Sequence, residues 1–249
     1  MAGIDLGSVG MGNFAEVLDD PTFLRSLALT GLFVLVKVPL TLVVGLALAL
    51  LLLRSDRVNA LVRTGVLIPA ITPIVVVGLI FLFVFDREIG VANAIGAAVG
   101  VDRIGWLTQD QPARAVIVLV SLWRDAGFVM LVYLGGLGGI PENILEAARV
   151  DGCHGWQLLR RIVVPLLQRS TQFATTFATI SAFQFFAPIF VMTKGGPQGA
   201  TDVASFHVYE TAFTFFDWGN ANAMSLVLVA FIVMVTGLEL WLLRTQGGV

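Results

Sequence analysis

The sequence predicts an all-α, polytopic membrane protein of about five transmembrane helices, with a polar helix-turn-helix loop on the cytoplasmic side between the third and the fourth. Three observations carry this expectation. Hydrophobic residues make up 57% of the 249 positions and charged residues only 13%, about half the charged share of an average soluble domain. The apolar residues gather into five runs that meet or approach the roughly 20 residues needed to cross the hydrocarbon core. The Lys and Arg residues are concentrated in alternate segments between those runs.

Residues 1–20 contain no Lys or Arg and four acidic residues, Asp5, Glu16, Asp19 and Asp20. They lack the basic start and compact apolar stretch of a secretory signal. Residues 1–21 are read as an extracytoplasmic polar leader, partly helical around 14–18. A single transmembrane domain then spans 22–244, and 245–249 form a cytoplasmic tail. The five runs lie at 27–53, 66–85, 115–137, 173–192 and 223–243. Each is read as a helix, because an open strand leaves backbone groups unpaired in lipid and the runs are too long for barrel strands. Pro39, Pro69, Pro73 and Pro188 lie inside them as candidate kinks, which membrane helices tolerate.

Cytoplasmic loops of membrane proteins carry an excess of Lys and Arg. Arg54, Arg57 and Arg63 follow the first run, Arg149, Arg160, Arg161 and Arg169 lie between the third and fourth, and Arg244 follows the fifth. These segments share a side if all five runs span. The leader and the loops 86–114 and 193–222 share the other, with eleven acidic residues against Arg25, Arg87, Arg103, Arg114 and Lys194. The basic side is therefore expected in the cytoplasm and the N-terminus outside.

The segment 141–165 is a polar island between membrane runs. Pro141 suits the first position of a helix, and Glu142 beside it complements the helix dipole. The helix should run to Val150 and stop at Gly152, which can take the left-handed conformation of a C-terminal cap. Within it Ile144 and Ala148 share a face, Glu146 stands one turn ahead of Val150, and Ala147 and Ala148 let another backbone approach. A second helix over 156–163 aligns Trp156, Leu159 and Val163 and turns Arg160 and Arg161 toward headgroups or water, until Pro165 bends the chain into the fourth run. Two readings fit. The island is an interfacial anchor held to lipid by its arginines, or a docking knob that projects Glu146 and Asp151 into a cleft of a soluble partner.

The string Glu146-Ala147-Ala148, three residues, Gly152, nine residues, Ile162 and then Pro165 resembles the EAA loop of permease subunits in binding-protein-dependent ABC importers. Ile140-Pro141, Thr193-Lys194-Gly195-Gly196-Pro197 with Ala200-Thr201, Trp123-Arg124, Phe128, Gln184-Phe185-Phe186 and Gly219-Asn220-Ala221-Asn222-Ala223 are similar to the carbohydrate-uptake branch related to the maltose-type permeases. The likeness covers residues 14–244. It implies a multi-pass protein of a prokaryotic plasma membrane that imports a mono- or oligosaccharide, or a related polyol or glycerol derivative. Its implied partners are ABC ATP-binding subunits, a second permease chain and an extracytoplasmic solute-binding protein, besides the lipid bilayer. The first island helix would be the coupling helix, with Glu146 making the charged contact, Ala147 and Ala148 the close packing, and Asp151 and Gly152 the turn. The sequence departs from the family pattern at Val164, where leucine is usual. A proline usual near Gly127, an aspartate near Ala187 and an asparagine near Leu29 are missing. Such subunits usually have six or more spans and a cytoplasmic N-terminus, so a five-run sequence either begins downstream of the start or lacks the peripheral first helix.

Lys37, Arg124, Asp125 and Glu239 lie within the hydrophobic runs. A charge at the centre of a membrane helix costs at least about 2.5–3.5 kcal/mol, so such residues face protein or a water-filled cavity. Arg124 and Asp125 are read either as part of an ion-paired set, Lys37 or Arg124 with Asp125, or as groups of the translocation path that bind sugar hydroxyls. Glu239, little more than one turn from Arg244, is read as snorkelling to the interface. Gln184, beside Phe183, Phe185 and Phe186, is a second candidate path contact, because an amide next to aromatic faces suits a pyranose; helix packing is the alternative. Phe215, Phe216 and Trp218 fall at the outer interface, where aromatic belts occur. Gly195-Gly196-Pro197 either turn beneath a docked binding protein or merely close a helix.

No Gly-x-x-x-x-Gly-Lys-Ser/Thr loop occurs in the sequence, so ATP hydrolysis must come from another polypeptide and the chain is expected not to be an enzyme. The lone Cys153 excludes an internal disulfide framework, and with His154 and the distant His207 it is thin material for a metal site. No cofactor, metal or nucleic-acid partner is expected. An ion-driven secondary transporter would carry inverted repeats and ionisable relays, for which Asp125 alone could serve. An intramembrane metalloprotease needs His-Glu-x-x-His, which is absent.

Overall fold

A computed structural model describes residues 10–244, and every regular element among them is a helix. Residues 1–9 of the expected leader, with Asp5, and the tail 245–249 lie outside the described residues. The short helix expected near 14–18 is α1 (Met11–Asp19). Pro21 opens α2 (Pro21–Leu51), six residues ahead of the first apolar run. Asp20 sits just before it and accepts a hydrogen bond from the Thr22 N–H at 2.8 Å, the arrangement in which a capping carboxylate precedes a proline at the first helical position.

The run at 66–85 is not one helix. It divides into α3 (Arg57–Ile71) and α4 (Ile74–Val84), with a break at Thr72 and Pro73. Proline disfavours the helical conformation of the residue before it, so α3 stops ahead of Thr72. Pro73 is extended at ψ 128° and starts α4 through its carbonyl, which accepts from the Val77 N–H at 3.1 Å. The remaining long elements are α6 (Asp110–Gly138), the pair α10 (Gln168–Phe183) and α11 (Phe186–Met192), and α13 (Trp218–Arg244). Four stretches, α2, α6, residues 168–192 and the bulk of α13, are long and apolar enough to cross a membrane, and a fifth exists if α3 and α4 count as one bent span. The shorter helices are α5 (Val91–Ala98), α7 (Glu142–Val150), α8 (Gly155–Leu158), α9 (Val164–Leu166) and α12 (Ala204–Phe213).

Pro188 breaks the fourth run as well. It has no N–H to donate to the carbonyl four residues earlier, and its ring crowds that carbonyl, which belongs to Gln184. The Phe186 N–H takes over the Gln184 oxygen at 2.8 Å, with Phe185 at φ −79° and ψ 44°. The chain thus turns by one tight step between α10 and α11.

The described chain forms two compact units. The first comprises the chain up to Lys37, Thr72–Ser121 and Ser181–Met234; the second comprises Val38–Ile71, Leu122–Ile180 and the chain from Val235. Val77, Ile117, Val120, Ile189 and Phe206 make one core of the first unit, where Gly78 on α4 lets α11 approach: a Cβ there would lie 3.3 Å from the Val191 Cβ. Val17, Phe23, Ala204 and Met224 make another, and the Thr30 hydroxyl oxygen accepts from the Ala204 N–H at 2.9 Å. The loop around α5 is organised by buried Asn93. Its amide donates to the carbonyls of Arg87 and Ile104, and its oxygen accepts from the Ile104 N–H and the Trp106 indole N–H, which uses both donors and both lone pairs.

The second unit is built on Ala49, Val129, Met130, Tyr133, Leu167 and Ala174, and Leu145 and Leu158 of the polar island pack against this core. Arg63 reaches from α3 to the carbonyls of Leu52 and Arg54 just past α2, where unpaired carbonyls favour a cation. Gly127 on α6 is a point of backbone contact: a Cβ would land on the Val66 carbonyl oxygen and 3.3 Å from the Leu67 Cα. That close approach explains a small residue at a position where the family resemblance leads one to look for proline. Gly127→Ala should therefore overpack the α3–α6 contact at a cost of about 1–3 kcal/mol, visible as a lower thermal midpoint of the detergent-solubilised protein. Gly135→Ala, on the same helix with nothing within 4 Å of the new methyl, should not lower it; equal effects of the two would refute the contact.

Candidate functional site

The polar island builds its own rigid frame. Pro141 stands at the cap of α7, not inside it: its ψ of 133° is extended, and its carbonyl accepts from the Ile144 N–H at 3.1 Å. At the other end Gly152 adopts φ +84°, the Cys153 N–H donates to the Ala148 carbonyl at 2.9 Å and the Gly152 N–H donates to the Arg149 carbonyl at 3.1 Å. This pair of bonds closes a helix with a left-handed glycine, as the sequence led us to expect. The buried face differs from the expected one. Ala148 is buried and Leu145, three residues earlier, packs with it into the second unit, whereas Ile144 is exposed. Glu146, Ala147, Arg149, Asp151 and Gly152 are all exposed, and Val150 is 88% exposed.

The second island helix also departs from regular α geometry. After α8, residues Leu159–Val163 are wound as a π turn, and the Val164 N–H reaches back to the Leu159 carbonyl. The wider turn relieves the clash that Pro165 would make with the Arg161 carbonyl, so the helix passes through the proline into α9, and the bend falls at Leu167 (ψ 6°). The change of winding splits the expected stripe: Val163 is buried, Leu159 half-buried, and Trp156 71% exposed.

Within the membrane runs the charged side chains are paired or hydrogen-bonded. Asp125 is buried, and its Oδ1 lies 3.5 Å from the Arg124 Nη1. The Arg124 Nε is buried without a hydrogen-bond partner among the described residues. Gln184 and Phe186, the other candidate path residues, belong to the first unit; Gln184 is exposed at the break after α10, and Phe186 is half-buried against Tyr209 at 5.0 Å between ring centroids. Lys37 is 2% exposed and donates from Nζ to the Ser181 Oγ at 3.1 Å, with the Phe185 ring 5.8 Å away. Glu239 does not snorkel. The Thr179 hydroxyl, fully buried, lies 2.9 Å from both its carboxylate oxygens and donates to them, which ties α13 to α10 inside the second unit.

Gly195, Gly196 and Pro197 belong to a braced loop of the first unit. Gly195 has φ +77°, and a Cβ there would lie 2.7 Å from the Phe206 ring. The hydroxyls of Thr193 and Thr201 are 2.7 Å apart, the Thr201 hydroxyl also lies 2.7 Å from the Gly196 carbonyl, and Arg114 donates to the Ala200 carbonyl at 2.8 Å. Sequence reasoning read 193–222 as a plain loop and missed α12 inside it. Phe206, Tyr209 and Phe213 recur there at helical spacing, which was the available signal. Tyr209 packs on Phe213 at 5.0 Å and Phe213 on Trp218 at 5.1 Å. His207 was also missed as more than a stray ring. It is buried, with Nδ1 3.1 Å from the Asp202 Oδ2 and Nε2 4.0 Å from the Asp20 Oδ2, at the wall of a cavity of about 480 Å³ that Glu210, Asp217 and Asn220 also line. Its pKa is raised by the hydrogen bond to Asp202, opposed by burial and assisted by the charges of Asp202, Asp20 and Glu210.

Residues 41–244 match the family described as the binding-protein-dependent transport system inner membrane component. The permease protein of the sulfoquinovosyl glycerol transport system of Agrobacterium fabrum is 34% identical over 245 residues, which are 98% of this chain and 80% of that protein. The permease protein of the lactose transport system of Rhizobium radiobacter is 31% identical over 250 residues, covering 98% of this chain and 84% of that protein. Among solved structures, a bacterial ABC transporter involved in the import of the acidic polysaccharide alginate contains a chain of the same fold, with a TM-score of 0.83 at 22% identity over 98% of this chain and 87% of that one.

The raised pKa of His207 has a consequence for stability. A group whose pKa is higher in the folded state contributes fully below its unfolded value, 6.5 for His207, and its contribution is lost as pH rises through the folded value. Thermal stability should therefore fall as pH climbs above about 6.5, and His207→Gln should flatten that slope. Parallel profiles for the two proteins would contradict the pairing with Asp202 and Asp20.

Proposed function

The chain belongs to the binding-protein-dependent transport system inner membrane component family, and on that premise we propose that it moves a sugar or sugar derivative and takes its energy from a separate ATPase docked on α7. It is a multi-pass permease subunit of an ABC importer and not itself an enzyme. The observation that carries the coupling role is the division of α7 into two faces. Leu145 packs against the second unit's core and Ala148 is buried, while Glu146 and Ala147 are exposed and can meet another protein. Because both ends of α7 are closed by backbone bonds, a push on Glu146 moves the helix as a body. Val129 and Met130 of α6 and Ala174 of α10 share the core against which Leu145 packs, so the displacement reaches the membrane helices through packed side chains that cannot deform continuously. Closure of the ATPases on ATP would then exchange inward-open and outward-open arrangements.

The orientation in this reading follows the basic residues. Arg54, Arg57 and Arg63 lie beside α3 and Arg149, Arg160 and Arg161 on the island, on the cytoplasmic side by the excess-charge rule. The braced loop at Gly195, Gly196 and Pro197 then faces outward, where an extracytoplasmic solute-binding protein delivers its cargo. A second, different permease chain completes the path. The sugar assignment is supported by the transport systems of the two relatives, for sulfoquinovosyl glycerol and for lactose. Gln184 and Phe186 in the first unit offer an amide and an aromatic face of the kind such a cargo needs, and Arg124 and Asp125 in the second offer charged hydrogen-bonding groups.

Glu146→Lys reverses a charge on an exposed side chain and leaves the buried face of α7 intact. It should lower substrate-stimulated ATPase activity of the reconstituted importer by at least about tenfold while membrane insertion and subunit yield stay unchanged. ATPase activity equal to that of the wild type would refute docking through this helix.

A further inference from the structure

We propose that the cavity between α11 and α12 is a binding subsite for a single pyranose ring, a proposal that rests on the sugar-permease reading and adds a place on this chain where the ring is held. The cavity has a volume of about 200 Å³ and is lined by Phe190, Lys194, Phe206, Tyr209, Glu210 and Thr214. A volume of this order lies below the roughly 300 Å³ at which pockets for drug-sized ligands begin, which is the scale of a single sugar ring.

The wall is aromatic and held in place. Phe190 and Tyr209 meet edge to face at 5.2 Å and 76°, and Phe186 packs behind both at 5.5 and 5.0 Å. Phe190 keeps 40% of its surface exposed, which leaves a ring face to receive the C–H-rich side of a pyranose. The rim is polar: among the described residues Lys194 and Glu210 make no ion pair and the hydroxyls of Tyr209 and Thr214 make no hydrogen bond, while the Glu210 charge also acts on His207. Glu210 can accept from two vicinal hydroxyls, Lys194 can donate to a ring substituent, and Tyr209 and Thr214 can do either. One cation, one carboxylate and two hydroxyls around an aromatic face form a set that matches a polyhydroxylated ring and would suit a purely apolar occupant poorly.

The backbone supplies a second observation. Lys194 follows the end of α11 at φ +49°, a left-handed conformation that glycine takes freely and other residues resist. Its N–H closes the helix by donating to the Ile189 carbonyl at 2.7 Å. A glycine would serve that closure better, and what the lysine adds is an ammonium at the mouth of the cavity.

Saturation-transfer NMR on the complete importer in lipid nanodiscs, without its solute-binding protein, tests the subsite with three probes: methyl α-D-glucopyranoside, methyl β-D-galactopyranoside and methyl β-D-glucopyranosiduronate. At least one should bind with the strongest transfer at its ring C–H protons. Its Kd should weaken about tenfold in Lys194→Gly, which relaxes the backbone, and again in Tyr209→Leu. Binding of none of the three, or binding that both variants leave unchanged, overturns the subsite. Uptake of the same glycosides that depends on the binding protein is measured beside it in the wild-type importer. Uptake without subsite binding removes the subsite and leaves the sugar-permease reading standing, and loss of both removes both.

Discussion

In a bilayer the backbone has no water to turn to, and every N–H and C=O must find a partner in the chain. Pro73, Pro188 and Pro165 put that constraint under load and are met by different devices, while Pro39 and Pro69 lie inside α2 and α3. At Pro73 the helix is given up and a new one starts from the proline carbonyl. At Pro188 the carbonyl of Gln184 is taken over by the Phe186 N–H. At Pro165 a π turn widens the helix, and the Leu159 carbonyl receives the Val164 N–H.

The same requirement governs the charges. Asp125 has Arg124 beside it, Glu239 has the Thr179 hydroxyl, and Lys37 has the Ser181 hydroxyl. The last two pairs join helices far apart in the chain, so a side chain that is costly to bury also fixes which helix faces touch inside each unit. A carboxylate or ammonium tied in this way holds the framework of its unit.

The polar island at 141–165 follows the same economy. Its short helix gains little from intrinsic helicity, since isolated helices of this length are marginal in water. It is held by Leu145 and Ala148 in the core and by the glycine-closed end at Gly152. A helix secured on one face and closed at its end can present a charge without yielding to the force applied to it. The same division recurs at α12, where Phe206 is buried and Tyr209 and Glu210 are left partly open beside a cavity.

Much of the architecture was legible in the order of residues, because hydrophobic thickness is a sum along the chain. The apolar runs, the polar island, the glycine stop at Gly152 and the likeness of Glu146-Ala147-Ala148 to a known loop all follow from composition and spacing, properties that do not depend on what a helix packs against. The prolines marked candidate kinks, yet the full stop at Thr72–Pro73 and the passage through Pro165 were decided in the folded chain. Leu145 and not Ile144 turned inward, and Glu239 met Thr179 instead of reaching for the interface. The aromatic wall at Tyr209 emerged from a stretch that spacing alone had left as loop. These were decided by tertiary structure, because the rotation of a helix and the partner of a buried charge are set by neighbours distant in sequence, and no one-dimensional sum contains them.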